Sequence, residues 1–379
     1  MRFSVLLPTR NGGKFIRNCI ASVLDQPFKD LELVVSDNCN ADETPEELQR
    51  FAGDPRIRVI RQDRLLSVTE NWTAAYQACR GEYLLMMGDD DCVLPGYFDR
   101  LSSAIDRHRE PECIAYNAYS YIFPDSIDGD PKSYYGDPYF HYGPEFASEG
   151  PLPLPLRRSI VRDMYSFRHR FPLNMQIILV SRKAAERIRG GFYQPPFPDH
   201  FAINALLLDA ERFVFIPEKR VVVGVSPKSF GSYFFNDRQD RGLAYLSSDA
   251  GFEGRLPGNE IVNASVVWLQ KLKRAYGDKL GGFQINRPEY YLRQLHAWIV
   301  QARQGKLRAS EVAARAARIP FPIWTSLFLF FLQPRLVLKL GDLLRRKRSK
   351  LHQAWSALQP AGGTRDIREF SAWVGSGRP

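Results

Sequence analysis

Cysteine is sparse and unpatterned in this chain of 379 residues. Cys19, Cys39, Cys79, Cys92 and Cys113 form no Cys-x-x-Cys pair, and their number is odd. That disfavours a disulfide framework and a zinc site, and it fits a reducing compartment. Long apolar runs are missing as well. The N-terminus enters a β-rich stretch at once, Met1-Arg2-Phe3-Ser4-Val5-Leu6-Leu7-Pro8, without the extended apolar region of a signal peptide. The most apolar segment, Ile319–Leu332, is shorter than the about 20 residues that a membrane-spanning helix needs. Gln333, Pro334, Arg335 and Lys339 interrupt its extension. No internal repeat is visible, and no recognisable nucleic-acid module accompanies the basic charge.

What is present is a chain able to bury a core, with 44% hydrophobic and 13% aromatic residues. Its length suits two domains, or one large domain with an extension. The net charge of +10 is unevenly placed. Residues 301–350 hold twelve Lys/Arg against Glu311 and Asp342, so this segment alone accounts for it and the remainder is neutral. A basic segment of this kind is attracted to anionic surfaces.

Along residues 1–120, strand and helix patterns alternate. Phe3–Leu7 is β-rich, and Phe15, Ile16, Cys19, Ile20, Val23 and Leu24 recur at helical spacing. Leu31–Val35 and Ile57–Ile60 read as strands. Ser67-Val68-Thr69-Glu70 has capping-box form and opens a helix expected to close at Gly81. Tyr83–Met87 is a strand, Pro95 starts a helix to about His108, and Cys113–Phe123 is another strand. Such alternation predicts an α/β fold with a mainly parallel central sheet flanked by helices. Residues 124–156, rich in Pro, Gly, Tyr and Asp, read as an irregular excursion. It is either an acceptor-facing flap or a surface insertion packed by its own aromatics. Strands return at Gln176–Val180, Phe213–Ile216 and Val221–Val225, with a helix over Asp199–Glu211. Beyond about 260 the chain reads as helical. The boundaries that follow are a catalytic unit over 1–225, divided near 120, then a linker over 226–260. A helical basic extension covers 261–350 and a tail 351–379.

The chemistry concentrates at strand ends. Gly81-Glu82-Tyr83-Leu84-Leu85-Met86-Met87-Gly88-Asp89-Asp90-Asp91 is an apolar run that stops in three consecutive carboxylates. Adjacent like charges repel and each resists desolvation, so a buried strand tolerates them only beside a cation or a hydrogen-bonded ligand. Carboxylate oxygens suit hard divalent cations, which in turn bridge phosphates. Three other features fall in order: Pro8-Thr9-Arg10-Asn11 before Gly12-Gly13, the stretch Ser36-Asp37-Asn38-Cys39-Asn40-Ala41-Asp42-Glu43-Thr44, and Asn71 near the start of the capped helix. In open α/β sheets ligands gather outside the carboxyl ends of the strands.

Taken in this order, these motifs over residues 2–120 resemble the nucleotide-sugar half of family 2 glycosyltransferases of the GT-A fold. A weaker echo runs to about 225. The resemblance implies a GT-A sheet and a metal-dependent, inverting transfer of a sugar from a nucleoside-diphosphate donor to a glycan hydroxyl. It implies that Pro8, Thr9 and Asn11 line the nucleotide pocket with Arg10 near it. Asp37 would bind the base with Asp42 nearby, and Asn71 joins this donor set. Asp89 would reach the ribose side, Asp90 would hold Mg²⁺ or Mn²⁺, and Asp91 would support the site or the donor sugar. Ser36 stands where relatives usually carry the first of two aspartates, and Gly88 where many carry the first Asp of the metal motif.

An inverting transfer also needs a base for the acceptor hydroxyl. The family carries an acidic residue at the start of a helix in its second half, and Phe197-Pro198-Asp199-His200-Phe201 occupies that place. Asp199 is the candidate base, or else it only caps the helix. His200, Asp163 and Asp209 are weaker alternatives. Lys228, Ser229 and Ser232 lie in a loop that either closes over donor phosphates or is a solvated turn.

In the C-terminal part, the apolar Ile319–Leu332 precedes Arg345-Arg346-Lys347-Arg348-Ser349-Lys350. That pairing suits an anionic membrane interface, and the alternative is a helix docked on the catalytic unit. The resemblance implies a lipid-linked glycan acceptor, and a protein peripheral to the cytoplasmic face of the inner membrane. Two rivals remain. One is a sugar-1-phosphate nucleotidyltransferase, for which Gly12-Gly13-Lys14 is a thin phosphate loop. The other is a non-catalytic membrane-associated scaffold with a decayed donor site.

Overall fold

The computed structural model describes residues 1–235, 251–325 and 358–377. Among these, eleven strands join in one sheet. They are β1 (Phe3–Thr9), β2 (Leu31–Asp37), β3 (Ile57–Arg61), β4 (Tyr83–Met86), β5 (Cys92–Val93) and β6 (Cys113–Ile122), followed by β7 (Tyr134–Gly136), β8 (Gly150–Pro151), β9 (Ile178–Ser181), β10 (Phe213–Val225) and β11 (Gln359–Pro360). The helices of the same region are α1 (Phe15–Leu24), α2 (Thr44–Gln49), α3 (Val68–Ala78), α4 (Tyr97–Arg107), α5 (Leu154–Met164), α6 (Arg182–Arg187) and α7 (Pro198–Asp209).

Every residue of β1 and β2 is buried, because helices cover both faces of the sheet. Alternate residues of β1 feed two cores. Phe3, Val5 and Leu7 pack with Ile16 and Ile20 of α1 and Phe98 and Leu101 of α4. Leu6 points the other way, into the layer that holds Met164 of α5, Phe201 and Leu206 of α7, and Trp268 of the helix Glu260–Ala275.

The sheet is mixed. The block β3-β2-β1-β4 is parallel, as the alternating pattern predicts. β9 then runs antiparallel to both β4 and β6, and β10 is parallel to β6. A short buried run such as Ile178–Val180 carries no mark of its direction, so the reversal was not readable. The strands expected at Phe213–Ile216 and Val221–Val225 are one strand, with register shifts between Ile216 and Val221.

Gly81 has a different duty from the one expected. α3 has its capping box at Ser67 and Glu70 and ends at Ala78, before Gly81. A Cβ on Gly81 would lie 2.5 Å from the backbone N of Ser4, so glycine lets the chain pass against β1 as it enters β4. The Pro/Tyr-rich stretch 124–156 also holds more order than expected, with β7, β8 and the start of α5. Its Tyr142 and Phe146 pack on Phe171 and Phe215.

Beyond 260 the described chain is helical, over Glu260–Ala275, Gly277–Leu280, Arg287–Arg303 and Ala309–Ala316. Within the stretch set apart above as a tail, β11 pairs with β7 and the helix Ile367–Gly375 buries Phe370 against Tyr121 and Tyr135. Half of the apolar run Ile319–Leu332 and all of the Arg345–Lys350 cluster lie outside the described residues. Of the described part, Ile319 is buried and Phe321 is 78% exposed. No described helix is long and apolar enough to cross a membrane.

Candidate active site

Strand register brings the predicted residues together. Thr9 pairs with Asp37 across β1 and β2, and Leu6 pairs with Met86 across β1 and β4. Three residues beyond each member of the second pair, Thr9 meets Asp89. The Thr9 hydroxyl donates to the Asp89 carboxylate at 2.6 Å. Gly12 lies against both, for its Cβ would be 2.7 Å from each of those oxygens. Only a residue without a side chain fits there, so the β1–α1 turn stays open above the acids.

The other strand-end residues are woven into one rim. The Arg10 guanidinium donates to the carbonyls of Asn38 (3.0 Å) and Cys39. The Asn11 side-chain oxygen accepts from the Ala41 N–H at 2.9 Å. Asp37 turns back on its own loop and accepts from Asn40 at 3.0 and 2.6 Å. Asn71 is spent below the rim. It is 4% exposed, and its amide oxygen accepts the Ser36 hydroxyl at 2.7 Å. That buried hydroxyl needs a partner, so Asn71 stabilises β2 instead of facing the open edge.

The three consecutive aspartates have separate surroundings. Asp91 is 1% exposed and accepts the N–H groups of Gly88 (2.6 Å) and Gly224 (2.8 Å), which pins the loop to β10. Asp90 accepts the Ser226 N–H at 3.1 Å. Burial pushes the Asp89 carboxyl up to about 7, the Asp90 charge adds to this, and the Thr9 hydroxyl opposes it. Asp90 is also raised, by burial. Asp91 is raised by burial and then by Asp90. Among the described residues, no three or more His, Cys, Asp or Glu side chains form a protein-only metal cage. Asp89 and Asp90 nevertheless form no ion pair among the described residues, and a divalent cation fits them if phosphate oxygens and water complete its shell.

A cation does approach from the end of β10. Lys228 donates to the Asn11 carbonyl at 2.8 Å and to Asp42 at 3.0 Å. Its ammonium would be 2.9 Å from a Cβ on Gly13. Lys228 is exposed, as in a solvated turn, and at the same time bridges the first two strand ends. The signal available in the sequence was a lysine in a Ser/Gly loop just after a strand.

Asp199 lies in the first turn of α7, whose N-cap is Phe197. Its carboxylate accepts the His200 N–H at 3.0 Å. Burial pushes Asp199 up to about 7. His200 is held neutral: burial, with His169 adding, pushes it down to about 3. The imidazole stacks on Phe197 with ring centroids 4.4 Å apart. The alternatives are otherwise engaged, since Asp163 pairs with Arg170 (3.1 Å) and Asp209 with Arg187 (3.3 Å) and Lys279. One residue joins the two halves. Tyr139, from the irregular excursion, is raised to about 12 by burial and feels the charges of both Asp199 and Asp91. It stood unsingled in a run of tyrosines, where no spacing marks it.

Comparison with known proteins adds a family. Residues 4–144 match the model of glycosyl transferase family 2. This segment is thus similar to family 2 glycosyltransferases. Over 128 residues the chain is 25% identical to glycosyltransferase GlyG of Streptococcus pneumoniae, covering 34% of this chain and 41% of that protein. Over 102 residues it is 31% identical to the GalNAc(5)-diNAcBac-PP-undecaprenol beta-1,3-glucosyltransferase of Campylobacter jejuni, covering 26% and 33%. The chain therefore spans less than half the length of these curated relatives. Among solved structures, S. aureus TarS 1–349 in complex with UDP-GlcNAc is similar with a TM-score of 0.48 at 16% identity, covering 80% of this chain and 81% of that one. The matched segment holds Pro8 through Asp91 and Tyr139, while Asp199 and Lys228 lie beyond it.

Proposed function

We propose that this protein is an inverting, metal-dependent glycosyltransferase that moves a sugar from a nucleoside-diphosphate sugar to a hydroxyl of a lipid-linked surface glycan. The observation that carries the reading is the cluster of acids at the strand ends, where the Thr9 hydroxyl holds Asp89 at 2.6 Å and Asp90 and Asp91 lie buried beside it.

The donor would lie over the strand ends, its nucleotide lined by Pro8, Thr9, Arg10 and Asn11, with Asp37 and Asp42 on the base side. Asp89 would reach the ribose, and Asp91 would hold the loop from behind. Asp90, with Asp89, would hold the divalent cation. When bound, that cation supplies Lewis-acid neutralisation of the leaving diphosphate, worth several kcal/mol. Lys228 adds a cation at the rim, suited to phosphate oxygens. In the transfer, the acceptor oxygen forms a bond to the anomeric carbon while Asp199 takes its proton. The bond from that carbon to the diphosphate oxygen breaks, and its electron pair leaves with the nucleoside diphosphate. A carboxylate poised near 7 suits this duty, because a base works best with a pKa near the working pH.

Support for a lipid-linked acceptor is the Campylobacter relative, whose name specifies an undecaprenol-diphosphate substrate. The apolar and basic segments after residue 319 suit an anionic membrane surface, which would place the protein at the cytoplasmic face of the membrane.

Calorimetric titration with UDP, GDP and dTDP, with and without Mn²⁺, tests the donor site. Metal-dependent binding of one nucleotide is expected, with loss in Asp90→Ala. Folded protein that binds none of the three would return the scaffold reading to first place.

A further inference from the structure

The helix Glu260–Ala275 separates two sites. Trp268 packs its ring 5.9 Å from His200, beside the candidate base. Val266, Leu269, Gln270 and Lys273, at helical spacing on the opposite face, line a cavity of about 330 Å³. That volume is within the range of roughly 300–1,000 Å³ found for small-ligand sites. Phe252 and Phe283 line the same wall.

Of its polar groups, Tyr165, Tyr290 and Lys273 are committed to Leu269, Asn263 and Gly281, while two others are not. Tyr291 is only 4% exposed, yet among the described residues its hydroxyl has no hydrogen-bond partner. Arg287, an exposed residue of the same lining, also has no hydrogen-bond or ion-pair partner among them. A Cβ on Gly254 would lie 3.5 Å from the Tyr291 hydroxyl and 3.6 Å from an Arg287 nitrogen, so the glycine leaves both groups open to one gap. The amides of Gln270 and Gln284 complete the rim. Lys273 and Glu253 offset each other in charge, which leaves the Arg287 guanidinium as the excess.

We propose that this cavity is a second carbohydrate site, one helix diameter behind the candidate base, that holds one or two units of an acidic glycan. Aromatic rings present flat apolar faces to the C–H face of a pyranose. A buried phenol and two amides match its hydroxyls. A free guanidinium takes a carboxylate or phosphate substituent through two parallel hydrogen bonds. A glycan held here raises the local concentration of the chain to be extended, without any contact to the donor. The cavity shares no lining residue with the donor site, so the two stand or fall separately.

The test is calorimetry on the full chain with two probes: a tetrasaccharide of alternating glucuronate and N-acetylglucosamine, and cellotetraose as the neutral control. The acidic probe is expected to bind more tightly than cellotetraose. Arg287→Ala should weaken it about tenfold, the scale of one charge-assisted pair, and Tyr291→Phe several-fold. Nucleotide titrations on both variants should match the parent protein, which also shows that they fold. Absence of acidic-probe binding in protein that binds nucleotide overturns the site. Equal binding of the two probes, or binding indifferent to both substitutions, overturns it too. Loss of nucleotide binding with the glycan site intact would count against the transfer reading alone.

Discussion

Asp199 carries the most exposed claim of any residue. It is partly buried, raised to about 7, and its carboxylate accepts the His200 N–H in its own helical turn. Phe197 holds the N-cap position, but the Asp199 carboxylate satisfies the His200 N–H, one of the first-turn donors that the helix leaves unpaired, so the capping reading stands beside that of a base. Asp199→Asn keeps the shape and the hydrogen bond but cannot take a proton. Its turnover should fall about 10²–10⁴-fold with nucleotide affinity unchanged, and the parent's rate should climb through pH 7 to a plateau. A variant with near-parental turnover would remove Asp199 from the mechanism. Gly224 tests the acid loop by sterics. A Cβ there would sit 1.9 Å from the Asp90 carbonyl oxygen, backbone against backbone. Gly224→Ala should therefore displace Asp90, lowering the melting temperature and the metal-dependent nucleotide affinity together. Lys228→Ala should leave melting nearly untouched, since its ion pair with Asp42 is half exposed and such pairs contribute about 0–1 kcal/mol. Nucleotide binding should weaken in that variant, most clearly at low salt.

At the scale of elements, legibility followed locality. β1, β2 and β4 were readable because each is a short apolar run closed by polar strand-end residues, and the Ser67–Glu70 capping box was readable because four adjacent residues make it. The coming together of Thr9 and Asp89 followed from parallel order alone. What escaped depends on partners far along the chain. The direction of β9, the passage of Gly81 over Ser4, and the place of Tyr139 near Asp199 are set by tertiary packing that no local pattern encodes. The helix Ile367–Gly375 is the largest such case. Phe370 is fully buried, stacked on Tyr121 at 4.9 Å and tilted on Tyr135 at 5.4 Å. Phe370→Ala should cost about 3–5 kcal/mol in urea unfolding, the usual range for such a truncation. A change below about 1 kcal/mol would mean that this helix contributes little to the fold, since ordinary surface substitutions stay within that bound.

Across the whole molecule, carboxylates divide into two populations with opposite pH dependence. Glu32, Glu112, Glu149 and Asp209 are lowered in the fold despite burial, by hydrogen bonds and by arginine or lysine partners. Their stabilisation is present above the unfolded carboxylate range near 4 and is lost as pH falls through it. Asp89 and Asp199 are raised to about 7, so the folded state binds protons there that the unfolded state has released. Stability from these two is fullest near 4 and is lost as pH rises toward 7. His200 and His169 act in the reverse sense, since their lowered values favour the folded state only once the unfolded imidazoles lose their protons near 6.5. Above 6.5 the histidines stop contributing, and the raised acids alone set the slope, each by at most about 1.4 kcal/mol per pH unit. The melting temperature should therefore fall as pH rises past 6.5, and the raised Asp90 and Asp91 extend that fall. Asp199→Asn, which removes one of the raised acids far from the Asp89–Asp91 loop in sequence, should make that fall shallower. A melting temperature that instead rises with pH past 6.5 in the parent protein would show that the raised acids find compensating charge in the fold. A donor-bound cation would then no longer be what completes the site.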